Sequence, residues 1–90
     1  MKEAHWRYRA RVVVHAPADH VRRRMPMPVR VEALGDDRCR FEPGSDSPDL
    51  LALYLGFLDA DFEVEGAPEL VEALRRVAAK YERAADASTR

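Results

Sequence analysis

The amino-acid sequence predicts an α+β fold, and three observations carry that prediction. Apolar and polar residues alternate with a period of two around residues 6–15, 29–34, 38–42 and 62–65. Three other stretches place apolar residues at helical spacing, and each opens on a proline: Pro17, Pro48 and Pro68. The two kinds of stretch interleave along 90 residues, a length that supports one core and leaves no room for a second.

The elements follow in order. Trp6, Tyr8, Ala10, Val12 and Val14 share one parity, and Arg7, Arg9, Arg11, Val13 and His15 share the other. A strand with this pattern has one apolar face and one mostly cationic face. Ala16-Pro17-Ala18-Asp19 opens a helix with Ala18, Val21 and Met25 on its apolar side, and the two prolines in Met25–Pro28 must end it. Val29, Val31 and Ala33 then alternate with Arg30, Glu32 and Leu34. After the turn signal Gly35-Asp36-Asp37, residues Arg38–Glu42 alternate again with Cys39 and Phe41 inward, so the two strands read as a hairpin that Gly44-Ser45-Asp46 breaks.

Ser47-Pro48-Asp49 supplies an N-cap hydroxyl, a proline at the first helical position and an acid in the first turn. The helix it starts, Pro48–Leu58, is apolar enough to bury more than one face. Asp59-Ala60-Asp61 ends it, and Phe62-Glu63-Val64-Glu65 is a short strand. Gly66-Ala67-Pro68-Glu69 starts a last helix with Leu70, Val71, Leu74, Val77, Ala78 and Tyr81 on one stripe. The order β-α-β-β-α-β plus one more helix is that of a ferredoxin-like split antiparallel sheet with an additional C-terminal helix. Residues 1–5 read as a disordered or tag-like start, residues 6–83 as the single domain, and residues 84–90 as a fraying tail.

Composition narrows the function classes. The formal charge of −1 hides an asymmetry: residues 1–40 carry 10 basic and 5 acidic side chains, whereas residues 41–90 carry 5 and 11. Thirteen of the fifteen basic residues are arginine and the chain has no Asn, Gln or Ile, a skew that reflects the base composition of the source genome as much as physics. One cysteine, Cys39, excludes an internal disulfide and a thiolate-rich zinc site, and a reducing, cytoplasmic setting fits it. No apolar run is long enough for a membrane span, and the polar, basic start lacks the apolar segment of a signal peptide.

Several segments resemble a known family. Arg11-Val12-Val13-Val14-His15-Ala16-Pro17-Ala18 resembles the opening strand and helix start of the C-terminal extension, or WCX domain, of WYL-domain transcriptional regulators. Asp46–Leu55 resembles its second helix, and Asp61-Phe62-Glu63-Val64 with Ala67-Pro68-Glu69-Leu70 its last strand and helix start. The resemblance covers roughly residues 7–83 and rests on the order and spacing of short motifs. It implies a module of a bacterial regulator whose other parts are a DNA-reading winged helix-turn-helix and a WYL domain, neither of which fits in this chain. It also implies effector sensing and homodimer assembly, with single-stranded DNA as the effector of some members. Met25-Pro26-Met27-Pro28 departs from the looser, glycine-containing connection expected there.

The candidate binding residues are Arg7, Arg9, Arg11, Arg30, Arg38 and Arg40, all of the parity that faces away from the helices. A cationic sheet face is a workable platform for single-stranded nucleic acid or another anionic effector. Two plainer readings compete with it: cross-strand ion pairs with Glu32, Glu42, Glu63 and Glu65, or a dock for the missing middle domain. Arg22-Arg23-Arg24 reads as a solvated helix end favoured by the helix dipole. His5, His15 and His20 read as capping or packing residues, Cys39 as core, and Asp46, Asp49, Asp59 and Asp61 as caps and turns.

No nucleophile–base pair, metal-ligand set or phosphate-binding glycine loop can be assembled, so the expected function is non-enzymatic, with no cofactor and no metal. Small-molecule sensing of the amino-acid-binding type would want a glycine-containing loop where this chain has Ala16-Pro17-Ala18. A purely structural dimerisation or docking module is the other alternative.

Overall fold

In the computed structural model, which describes residues 7–88, the first alternating stretch becomes two strand segments, β1 (Tyr8–Arg9) and β2 (Arg11–Val14). Ala10 interrupts them, and its amide donates to the Pro43 carbonyl at 3.2 Å. Pro43 interrupts the facing strand in the same way, between β4 (Cys39–Phe41) and β5 (Gly44–Ser45). A proline has no N–H to give the ladder, so regular pairing stops there and resumes beyond it. Gly44–Ser45 therefore continues the hairpin strand, pairing Tyr8 with Ser45 and Arg9 with Gly44, where the sequence pattern predicts a break. Trp6 and His5 lie outside the described residues.

Helix α1 (Ala18–Arg24) starts one residue later than a proline at its first position would require, because Pro17 is its extended N-cap. Strand β3 (Val31–Ala33) is shorter than the predicted 29–34. Only from Val31, opposite Phe41, does this segment join the sheet; Val29 and Arg30 lie off it. Gly35, at φ 152°, turns the chain into β4, and the Leu34 amide donates to Arg38 at 2.9 Å.

Helix α2 (Pro48–Leu55) is capped as its sequence predicts: the Ser47 hydroxyl accepts from the Leu50 amide at 3.2 Å. It tightens into a 3₁₀ turn over Gly56–Leu58 and stops at Asp59, which adopts left-handed backbone at φ 52°. Its predicted multiple burial is only partly realised. Leu51, Ala52, Leu55 and Leu58 are buried, but Leu53 and Phe57 face solvent. Strand β6 (Phe62–Glu65) lies along β2, and α3 (Pro68–Ser88) follows. Helical backbone continues through residues 84–88, beyond the expected end near 83. At 1.5 Å per residue α3 is about 31 Å long, and residues 78–88 are all exposed.

The strand order is β3-β4-β2-β6, antiparallel throughout, with β1 and β5 forming a second, two-stranded antiparallel pair. The core lies between one sheet face, carrying Val12, Val14, Val31, Cys39 and Phe41, and the three helices, carrying Val21, Leu51, Leu55, Leu70 and Ala73. Among the described residues no helix carries core residues against the other sheet face, which bears the polar parity.

Candidate functional site

The open sheet face is built by the period-2 alternation of β2, β4, β3 and β6. Cross-strand register sets Arg11 opposite Glu65, Val13 between Arg40 and Glu63, and Glu32 opposite Arg40. Arg11 donates to Glu42 at 3.1 Å, and the His15 ring N–H donates to Glu63 at 2.8 Å. Arg40 stands 3.6 Å from Glu32 and 4.0 Å from Glu65. Glu65 is on β6 and Arg40 on β4, with β2 between them, so the Arg40 side chain must cross β2. That path explains why Val13, on the face away from the core, is only 5% exposed. The Arg40 Nε–H is buried and has no hydrogen-bond acceptor.

The six candidate arginines thus divide. Arg11 and Arg40 are held by carboxylates. Arg7, in the bend before β1, Arg9 on β1, Arg30 before β3 and Arg38 before β4 are exposed. None of these four has a carboxylate within 4.0 Å among the described residues. The structure brings Arg9, Arg11, Arg30 and Arg40 to the rim of one groove and leaves Arg7 and Arg38 outside it.

That groove, of about 840 Å³, opens where segment 25–30 diverges from β5. Its walls include Met25, Met27, Val29, Phe41, Leu51 and Tyr54, with Glu32 and Glu42 beside the arginines. A shallower depression of about 410 Å³ runs from Arg9 and Arg11 to Glu65, Gly66 and Ala67 at the start of α3. In the first turn of α3 the Leu70 amide is shared between the Ala67 carbonyl at 3.0 Å and the Tyr8 hydroxyl at 3.1 Å. Burial pushes the Tyr8 phenol up, outweighing that hydrogen bond, with Glu69 adding to the rise. The groove's apolar lining is invisible to strand-parity reasoning. Its one sequence signal is Met25-Pro26-Met27-Pro28, where two prolines forbid both helix and ladder.

The other candidates have structural roles. Arg22 bonds Asp19 at 2.8 Å and reaches the Val31 carbonyl at 3.4 Å; Arg24 pairs with Asp59 at 3.3 Å. The His20 ring N–H donates to the Leu58 carbonyl at 2.6 Å, tying α1 to the turn after α2. Asp49 pairs with Arg76, joining α2 to α3. Cys39 is fully buried; burial pushes its thiol up and nearby Arg22 partly opposes the rise. Among the described residues, no group of three or more His, Cys, Asp or Glu side chains could hold a metal ion, and no helix is long and apolar enough to cross a membrane.

A family model described as the WCX domain matches residues 6–81. No curated protein and no solved structure matches the chain.

Proposed function

The chain belongs to the WCX domain family, the regulatory domain of WYL-type regulators, and from that premise we propose that it works by effector coupling. In this reading the domain sits in a cytoplasmic, homodimeric regulator behind helix-turn-helix and WYL domains. An anionic effector, a single-stranded oligonucleotide among the possibilities, engages its arginines. Binding then favours one of two dimer arrangements and so reorients the DNA-reading domains. The domain carries out no catalysis.

The observation that supports this most directly is the set of four exposed arginines, Arg7, Arg9, Arg30 and Arg38, that no carboxylate neutralises among the described residues. A guanidinium left without a partner on a surface rich in glutamates is a vacant bidentate donor. Arg11 and Arg40 contribute only if an effector displaces Glu42, or Glu32 and Glu65, from them. The fold supports the reading in a looser way. The strand order β3-β4-β2-β6, with helices on one face, is the reason to take it as a ferredoxin-like split sheet whose other face is open to a ligand.

A second reading, docking to another domain, is favoured by Leu53 and Phe57. Leu53 lies on α2 and Phe57 in the 3₁₀ turn that follows it, four residues on, and they are 43% and 53% exposed.

The test is a fluorescence-anisotropy titration of a labelled single-stranded oligonucleotide at low and moderate salt, on the parent chain and on Arg9→Glu/Arg30→Glu. The effector reading expects binding that falls steeply with salt, because counterions are released, and that is lost in the variant. Absence of binding at low salt, or equal binding by the variant, overturns the oligonucleotide form of the proposal.

A further inference from the structure

We propose that the groove between segment 25–30 and β5 is a binding site for a small amphipathic anion: an apolar body with a single carboxylate or phosphate head. The proposal rests on the effector reading above and names the ligand class for its best-formed site.

The groove is a built feature of the sequence. Pro26 and Pro28 keep segment 25–30 out of a helix and deny it a ladder donor, so pairing with the hairpin begins only at Val31 opposite Phe41. Among the described residues β5 pairs only with β1, so no strand covers its flank beside that segment. The resulting volume, about 840 Å³, falls in the size range of small-ligand sites.

The lining dictates the chemistry of the occupant. Half-buried Met27, Val29 and Tyr54 stand over buried Phe41 and Leu51. Methionine side chains adapt to varied apolar shapes, so this floor suits hydrocarbon without dictating one outline. At the rim, Arg11 is neutralised by Glu42 and Arg40 by Glu32, while among the described residues Arg9 and Arg30 have no carboxylate within 4.0 Å. The groove therefore carries two uncompensated positive charges next to an apolar floor. Both arginines line the same groove, so an anionic head there takes charge-assisted hydrogen bonds from these guanidiniums, and the attached apolar body covers the floor. An oligonucleotide matches this poorly. It brings one charge per nucleotide, and its backbone would lie against hydrocarbon.

The test uses the 90-residue chain and calorimetric titration with four probes of equal length: decanoate, decyl phosphate, decanol and decyltrimethylammonium. The expected result is that one or both anions bind at least about tenfold more tightly than decanol, with no binding of the cation. That factor corresponds to the loss of one charge-assisted hydrogen bond. Which anion binds tighter separates a carboxylate ligand from a phosphate ligand. Arg30→Gln and Arg9→Gln should each weaken the anions by about tenfold and leave decanol unchanged. Both sites are exposed, and far-UV circular dichroism confirms folding. Val29→Asp should weaken all binding. Equal affinity for decanoate and decanol, anion binding untouched by both arginine variants, or no binding by either anion overturns the proposal. The labelled oligonucleotide is titrated in parallel. Oligonucleotide binding without amphiphile binding sinks this inference and leaves the effector reading in place, and absence of both sinks this inference together with the oligonucleotide form of that reading.

Discussion

Replacing Arg40 separates two accounts of the sheet's open face. In one, Arg40 is an ion-pair hub; in the other, its hydrocarbon stem is a lid over Val13. Its pairs are long, 3.6 and 4.0 Å, and the partner carboxylates of Glu32 and Glu65 are 68% and 45% exposed. Pairs of this kind contribute about 0–1 kcal/mol each. The 3.6 Å pair is made by the Nε–H itself, which is buried and too far from Glu32 for a hydrogen bond, a shortfall that costs roughly 1–3 kcal/mol. The polar contributions therefore nearly cancel. The stem does not: it crosses Val13, which is 5% exposed, and uncovering some 50 Å² of valine surface costs about 1.3 kcal/mol at 25 cal/mol per Å². Arg40→Met keeps a stem of similar reach and removes the guanidinium, so its stability should lie within about 1 kcal/mol of the parent, with a gain more expected than a loss. Arg40→Ala should lose about 1–1.5 kcal/mol. Urea unfolding followed by far-UV circular dichroism, with the slope compared across variants, measures both. A Met variant that loses more than about 1.5 kcal/mol would show the ion pairs dominate. An Ala variant as stable as the Met variant would show that the stem covers nothing.

Further outcomes follow from single contacts. Ser47→Ala removes the acceptor for the Leu50 amide and should cost about 1 kcal/mol, lowering the thermal midpoint by roughly 4–8 °C; an unchanged midpoint would mean water replaces the hydroxyl. Leu55→Ala, at a site 1% exposed between sheet and helices, should cost about 2–5 kcal/mol, whereas Leu53→Ala on the outer face should stay within about 0.5 kcal/mol. A large loss at Leu53 would place it in a contact that the isolated chain already makes. Cys39 and Tyr8 both have folded-state pKa values raised by burial, from ordinary values of 9.0 and 10.0. Their contribution is fully present below those values and is lost as pH rises through the raised ones, so the urea midpoint should fall above about pH 9. Cys39→Ala should flatten the first part of that fall, and an identical pH profile in the variant would remove Cys39 as the cause.

Much of the fold was legible in the chain because its signals are local. Alternation in 11–14, 39–41 and 62–65 produced strands with the expected faces inward. Ser47-Pro48-Asp49 produced a capped helix, and Pro68 the start of another. The misjudged points are ones where a distant partner decided. Gly44–Ser45 carries turn residues, yet it pairs with Tyr8–Arg9 because that strand passes alongside. Val29-Arg30 alternates like a strand, yet Pro28 and the position of Phe41 keep it off the sheet. Leu53 and Phe57 look like core by composition, but α2 has too few neighbours to cover its whole circumference. The six arginines were identifiable as a cationic parity; which of them keep a free guanidinium was not.

By itself the sequence determined the α+β class, the alternation of strand and helix, the cationic parity and the family. All of these depend on residues within a few positions of one another or on motif order. Only the tertiary structure decided that Glu42 neutralises Arg11, that Glu32 and Glu65 hold Arg40, and that among the described residues no carboxylate reaches Arg9 and Arg30 beside the groove. The reason is physical. Periodicity fixes which face a side chain takes, but register between strands 20 to 50 residues apart sets which charges come within 4 Å, and at that range a carboxylate decides whether a guanidinium is free to take a ligand.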